Sequence, residues 1–169
     1  MEVLAALQRS APRESQPTIA AAICLLGTNC DVHVPYVVET LRFAEKNAGF
    51  QELLRNAVAG LVALANSGHQ QALSGLFEVG VAASESARPP VALGAGAIAI
   101  RNTALVLSFL DGYAARAGAI DLIAEGFDRL EEDYEEERFF VVVRREYWKA
   151  AEGSPTRAVG EALIQQLEF

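Results

Sequence analysis

Hydrophobic residues recur along this chain at the three-to-four-residue spacing of amphipathic helices. The apolar stripes occupy residues 34–48, 54–65, 72–80, 120–130 and 158–167. No Asn-Gly or Asp-Gly hairpin turn joins two alternating runs, so a sheet is not expected. The pattern therefore predicts an all-α protein of about seven helices in antiparallel pairs.

Polar residues, prolines and glycines between the stripes predict where helices begin and end. Asp31 suits an N-cap, Pro35 suits a first turn, and Gly49 suits the stop that follows. Ser154 and Pro155 form the N-cap and first position of the last helix in the same way.

The segment from Val91 to Leu110 is apolar on nearly every side and predicts one buried helix in the centre of the molecule. Its length would also span a bilayer, but Arg101 and Asn102 lie at its middle, where a charge is costly in lipid. Its Gly94–Ala99 portion matches a dinucleotide fingerprint only in spacing, because no βαβ pattern surrounds it. Close helix packing through small residues is the favoured interpretation.

Composition narrows the functional class. The 169 residues include 14 Lys and Arg against 22 Asp and Glu, a net charge of −8, and 51% are hydrophobic. An acidic chain argues against nucleic acid as a partner, and this hydrophobic content excludes intrinsic disorder. The N-terminus lacks the basic start of a signal peptide, so a cytoplasmic protein is expected.

Candidate chemistry is sparse. Cys24 and Cys30 are six residues apart, which on one helix turns them to different faces, so Cys24 is expected to pack as a small buried hydrophobe. His33 and His69 each lie beside an expected helix start, a common exposed position. We predict no catalytic residue, no metal site and no cofactor.

An internal repeat links three arginines. Arg55, Arg101 and Arg144 are separated by 46 and 43 residues, and each is expected near the start of an apolar helix. A two-helix unit of this period is typical of HEAT and armadillo arrays. This period predicts a single helical-repeat domain over residues 1–169. Residues 1–30 form an N-terminal cap with a degraded repeat, the three repeats span 31–68, 69–113 and 114–153, and the C-terminal cap helix spans 154–169.

The chain resembles the HEAT/armadillo-like helical repeat family in its general form. Leu54-Arg55-Asn56-Ala57 and Ile100-Arg101-Asn102-Thr103 are similar to the arginine-containing start of a HEAT second helix. The resemblance implies a short right-handed α-solenoid that binds other proteins along its surface.

Candidate binding residues follow from the repeat and from an aromatic pair near the C-terminus. The arginines would either face a groove and recognise acidic groups of a partner, or clamp neighbouring repeats together, and the clamp is favoured. The aromatic pair is either core, which is favoured, or an interface hot spot. The acidic run 131–137 is interpreted as a solvated face. The candidates are Arg55, Asn56, Arg101, Asn102, Arg144, Tyr147 and Trp148.

The predicted function is a non-enzymatic scaffold or adaptor that binds another protein, with neither nucleic acid nor membrane as a partner. One alternative is a HEAT-like lyase or enzyme subunit acting on a bulky ligand such as a tetrapyrrole, and another is a structural homo-oligomer. Residues 19–26 carry no charge, and only the short segment before them is available to cover them. A homodimer through the N-terminal helices is therefore expected.

Overall fold

The chain is all-helical in a computed structural model that describes residues 2–130 and 133–169, apart from the side chains of residues 4 and 133–135. The predicted helical class is confirmed. These ranges hold a 3-10 helix at Arg13–Ser15, ten α-helices and no strand. The α-helices are α1 Glu2–Ser10, α2 Gln16–Leu25, α3 Cys30–Lys46, α4 Gln51–Asn66, α5 Gln70–Val81, α6 Arg88–Arg101, α7 Thr103–Asp111, α8 Arg116–Arg129, α9 Asp133–Lys149 and α10 Pro155–Leu167.

The predicted start of α10 is confirmed, whereas the start of α3 differs from the prediction. Ser154 caps α10, and its Oγ accepts a hydrogen bond of 3.2 Å from the Arg157 backbone N–H. Helix α3 begins one residue before Asp31, after Asn29 has taken a left-handed conformation with φ of 50°. Pro35 consequently lies inside the second turn of α3 instead of its first.

The central apolar segment is not the single helix that its composition predicts. It is divided at Asn102 into α6 and α7, which are bent by 110° relative to each other. The Asn102 side chain donates a hydrogen bond of 2.7 Å to Asn66 Oδ1 at the end of α4, which fixes the break. No single helix in the described ranges is long and apolar enough to cross a membrane, and α6 and α7 meet that test only as this bent pair.

Glycines set the spacing of the helices that surround α6. A Cβ on Gly96 would lie 3.1 Å from the backbone of Gly126 in α8, and one on Gly126 would collide with the Ala92 carbonyl oxygen. The small residues of this segment therefore serve close helix packing, as predicted. The Arg88 Nε lies 2.8 Å from both carboxylate oxygens of Glu125 across the same pair of helices, and this hydrogen bond raises the pKa of Arg88.

Successive helices pack in an orderly way around the core. Helix α3 contacts α5, and α4 contacts α6, while α6 packs in turn on α8. Helices α4 and α6 run in the same direction, because Gly94 of α6 lies against Val58 and Val62 of α4 and the Asn66–Asn102 hydrogen bond joins their C-terminal ends. Most side chains of the acidic run 131–137 lie outside the described residues. The prediction that this run forms a solvated face is therefore not tested by the structure.

The expectation that Cys24 and Cys30 face different ways was wrong. Cys24 is buried as predicted, but it forms a disulfide with Cys30, with the two Cα atoms 4.6 Å apart. The argument from opposite faces assumed one continuous helix. The chain instead turns between α2 and α3, where Gly27 has a φ of +88° that favours glycine.

Candidate functional site

The principal candidate site is an apolar groove between α4 and α6, which we call the α4–α6 groove. Its volume is about 480 Å³. Arg55, Asn66 and Arg101 are its only polar lining residues among those the structure describes. The remaining lining residues are apolar or small: Val58, Ala59, Val62, Ala63, Pro90, Leu93, Gly94 and Ala97.

Small residues create this groove by letting α6 come close to α4 while leaving space above the contact. A Cβ on Gly94 would lie 2.6 Å from Val58 Cγ1 and 3.2 Å from Val62 Cγ2, so a larger residue here would displace these side chains or move the two helices apart. Ala59 and Ala97 line the two sides with a single methyl group each. The result is a shallow apolar channel that runs along two parallel helices.

The two arginines lie at opposite ends of the groove. Arg101 is the last residue of α6, next to the Asn66–Asn102 hydrogen bond that joins the C-terminal helix ends. Arg55 is the fifth residue of α4 and precedes Asn66 by eleven positions. At 1.5 Å per residue, about 16 Å of α4 lies between Arg55 and Asn66.

The guanidinium groups of Arg55 and Arg101 have no partner among the residues that the structure describes. Both residues are exposed, and neither side chain makes a hydrogen bond or ion pair in that part of the chain. The intramolecular clamp favoured from the sequence is therefore absent for these two arginines. Their donors remain available to a carboxylate supplied by another molecule.

The asparagines beside these arginines hold the fold together. Asn56 donates a hydrogen bond of 2.6 Å to the carbonyl oxygen of Glu14, which fastens the N-terminal 3-10 helix to α4. Asn102 fixes the α6–α7 break through Asn66. Asn56 and Asn102 thus connect neighbouring elements, which is the clamp role that the sequence analysis favours for the arginines.

The predicted register of the arginine repeat does not hold. Arg55 lies near the start of α4, but Arg101 ends α6 and Arg144 lies in the last half of α9. The repeat period alone places the three arginines at equivalent positions, but α6 ends at Arg101, and α9 begins eleven residues before Arg144. The break at Asn102 moves Arg101 to a helix end.

The other three predicted residues lie in a separate pocket. Arg144, Tyr147 and Trp148 line an open pocket of about 310 Å³ between α9 and α10, and Phe169 also lines it. Arg157 stacks 4.1 Å from the Tyr147 ring centroid. Trp148 is 72% exposed, so the favoured core interpretation is wrong for this residue.

Sequence reasoning missed the apolar walls of the α4–α6 groove, although a signal for them was present. Arg55, Ala59 and Ala63 follow one another at four-residue intervals, and so do Leu93, Ala97 and Arg101. Residues four apart lie on the same face of a helix. Each row thus joins one arginine to two uncharged residues on one face, the pattern of an apolar surface with a cationic end.

Comparison of the chain with protein-family models, curated proteins and solved structures found no match. The resemblance to HEAT and armadillo repeats therefore rests on the sequence pattern, and the functional argument rests on the geometry of the site.

Proposed function

We propose that this protein is a non-enzymatic protein-binding module that holds an amphipathic helix of a partner in the α4–α6 groove. The observation that carries the proposal is an apolar groove with an arginine at each end that pairs with none of the described residues. The partner's apolar face lies along α4 and α6, and carboxylates at its two ends pair with Arg55 and Arg101. Arginine is suited to this role because its guanidinium binds carboxylate bidentately.

The length of the groove fixes the spacing of the partner's charges. A distance of about 16 Å corresponds to roughly eleven helical residues, or three turns. The bound helix therefore carries two acidic residues about eleven positions apart, with apolar residues at i, i+3, i+4 and i+7 between them. A segment of this kind is acidic at both ends and uncharged on the face that docks.

The chemistry of the groove favours binding over the lyase alternative. Its lining holds neither a carboxylate nor a histidine among the described residues. General acid–base catalysis needs a titratable group within hydrogen-bond reach of the substrate. Two arginines supply positive charge and orientation but no proton transfer near neutral pH.

The packing of successive helices supports the solenoid part of the proposal. Helix α3 contacts α5 and α4 contacts α6, and two stacked helix pairs, α3–α4 and α5–α6, would make these contacts. In such an array, the second helices of successive pairs form one continuous surface. The α4–α6 groove lies on that surface, where a short right-handed α-solenoid presents its binding residues.

Selection of binding peptides tests this function directly. A displayed library of helical peptides is selected against the protein, and one selected peptide is titrated into ¹⁵N-labelled protein. We expect enrichment of acidic residues about eleven positions apart, the spacing set by the helical rise, and amide shifts in α4 and α6. Filling the groove with Ala97→Trp should abolish binding.

Matched controls keep this experiment decisive. Arg129→Glu changes the charge of an exposed residue outside the groove and should leave peptide affinity within about twofold. Shifts confined to α9 and α10 would overturn the groove assignment and place the binding surface at the pocket lined by Arg144, Tyr147 and Trp148. Peptides without enriched acidic residues would overturn the role of the arginines.

A homodimer through the N-terminal helices is a second candidate, favoured by exposed apolar side chains. Val3 and Leu7 of α1, Leu26 after α2, and Val32 of α3 are all exposed. Helix α1 packs on α2 and covers part of its uncharged surface. Ile23 is buried within the protomer, so the contact of two copies would use Leu26 and Val32 instead.

A further inference from the structure

Three potential metal ligands meet where the α2–α3 turn approaches the α4–α5 turn. Cys24 lies in the last turn of α2, Cys30 is the first residue of α3, and His69 is the N-cap residue of α5. The Cys24 Sγ is 3.6 Å from His69 Nε2. The two sulfurs and an imidazole nitrogen all lie within 4.8 Å of one another.

Two sulfurs and one imidazole nitrogen are the donor set of zinc sites. Zn–S bonds of about 2.3 Å and Zn–N bonds of about 2.0–2.1 Å place neighbouring S and N donors of a tetrahedral site roughly 3.6 Å apart. The Cys24 Sγ and His69 Nε2 already have this separation. The two sulfurs are bonded to each other here and must move apart to admit an ion.

The surroundings of the cluster permit that movement. Cys24 is 2% exposed and fixed in the core, whereas Cys30 and His69 are half-buried. Once the S–S bond is broken, rotation about the Cα–Cβ bond of Cys30 can move its sulfur away from Cys24 without a shift of either helix. The partial exposure of Cys30 and His69 leaves the fourth position of a tetrahedral ion to water, as in zinc sites with three protein ligands.

We propose that Cys24, Cys30 and His69 form a redox-controlled site for a thiophilic divalent cation such as Zn²⁺. In the oxidised protein the two sulfurs are bonded to each other and bind no metal. An external phosphine or dithiol reductant supplies two electrons, the S–S bond breaks, and two protons from solvent yield two thiols. The cation then displaces both thiol protons and binds two thiolates and the His69 nitrogen. None of the three ligands lines the α4–α6 groove.

Cobalt(II) gives a direct readout, because its visible bands report tetrahedral geometry and its charge-transfer band reports bound thiolate. The full chain is reduced with a phosphine under anaerobic conditions, freed of reductant and titrated with Co²⁺. We expect one equivalent to bind with both features, and Zn²⁺ to displace it. The oxidised protein should show neither feature.

The two histidines of the chain provide a matched pair of variants. His69→Gln should weaken Co²⁺ binding by at least about tenfold. His33→Gln should leave it unchanged, although His33 lies only three residues after Cys30. Cys30→Ser should remove the tight site, and circular dichroism of each variant verifies the fold.

Several outcomes would overturn the proposal. They are a reduced protein that binds no Co²⁺, binding without the charge-transfer band, equal binding by the oxidised protein, or equal losses in the two histidine variants. Because the oxidised and reduced wild-type proteins are compared directly, the test stands even if a cysteine variant fails to fold.

Discussion

At the scale of single residues, glycine decides how closely the central helices approach one another. Gly96 of α6 and Gly126 of α8 face each other, and the backbone of Ala92 blocks the space beside Gly126. A side chain that meets backbone cannot be accommodated by a change of rotamer. Gly96 and Gly126 therefore fix the position of α6, which forms one wall of the α4–α6 groove.

We predict that Gly126→Ala destabilises the protein by about 1–3 kcal/mol or more, because the added methyl group overpacks the α6–α8 contact. Gly112→Ala is the control, since a Cβ there meets nothing within 4 Å and its backbone has a φ of −103°. The control should change stability by no more than about 0.5 kcal/mol. Urea denaturation measures both, and equal midpoints would contradict the packing argument.

At the scale of helices, α7 is a short element held by one buried face. Val106, Leu107 and Leu110 are buried, whereas Leu105 is only half-buried. The apolar character of residues 91–110 predicts a uniformly buried helix and would make Leu105 a core residue. The bend at Asn102 instead gives α7 an inner and an outer face.

This difference between faces predicts an order of stabilities within one helix. Leu110→Ala should cost about 2–5 kcal/mol through lost burial and a cavity, while Leu105→Ala should cost about 1 kcal/mol. Thermal or chemical denaturation of the two variants provides the comparison. A larger loss for Leu105→Ala would show that α7 turns a different face to the core.

The sequence predicted the helices better than their breaks, for a physical reason. Stripes such as 54–65 and the Ser154 cap depend on residues within a few positions of each other. The break at Asn102 depends on Asn66, 36 residues earlier, and the Cys24–Cys30 bond depends on a reversal at Gly27. Neither the distant partner nor the turn is visible in the period of apolar residues.

At the scale of the molecule, the direction of the helices decides where the repeated arginines lie relative to each other. The repeat predicts that Arg55 and Arg101 occupy equivalent positions of successive repeats and so lie side by side. They share one groove, but parallel packing of α4 and α6 places them at opposite ends. The sequence contained the residues and even the apolar rows, whereas their separation required the direction of each helix.

Self-association is also a property of the whole molecule. If copies associate through the N-terminal helices, sedimentation velocity at micromolar concentration should show a species of twice the 18.1 kDa protomer. Leu26→Glu should return it to the monomer, because the charge would be buried at the contact. A wild-type monomer at all concentrations, or a dimer unaffected by Leu26→Glu, would contradict this contact.

A charge-swap titration tests the central claim most directly, using one selected acidic peptide and a copy in which its two acidic residues are lysines. Arg55→Glu/Arg101→Glu should bind the acidic peptide at least about tenfold more weakly than wild type, since like charges would then face each other. The same variant should bind the lysine peptide more tightly than wild type does. Equal affinities for both peptides in both proteins would contradict recognition of carboxylates by the two ends of the groove.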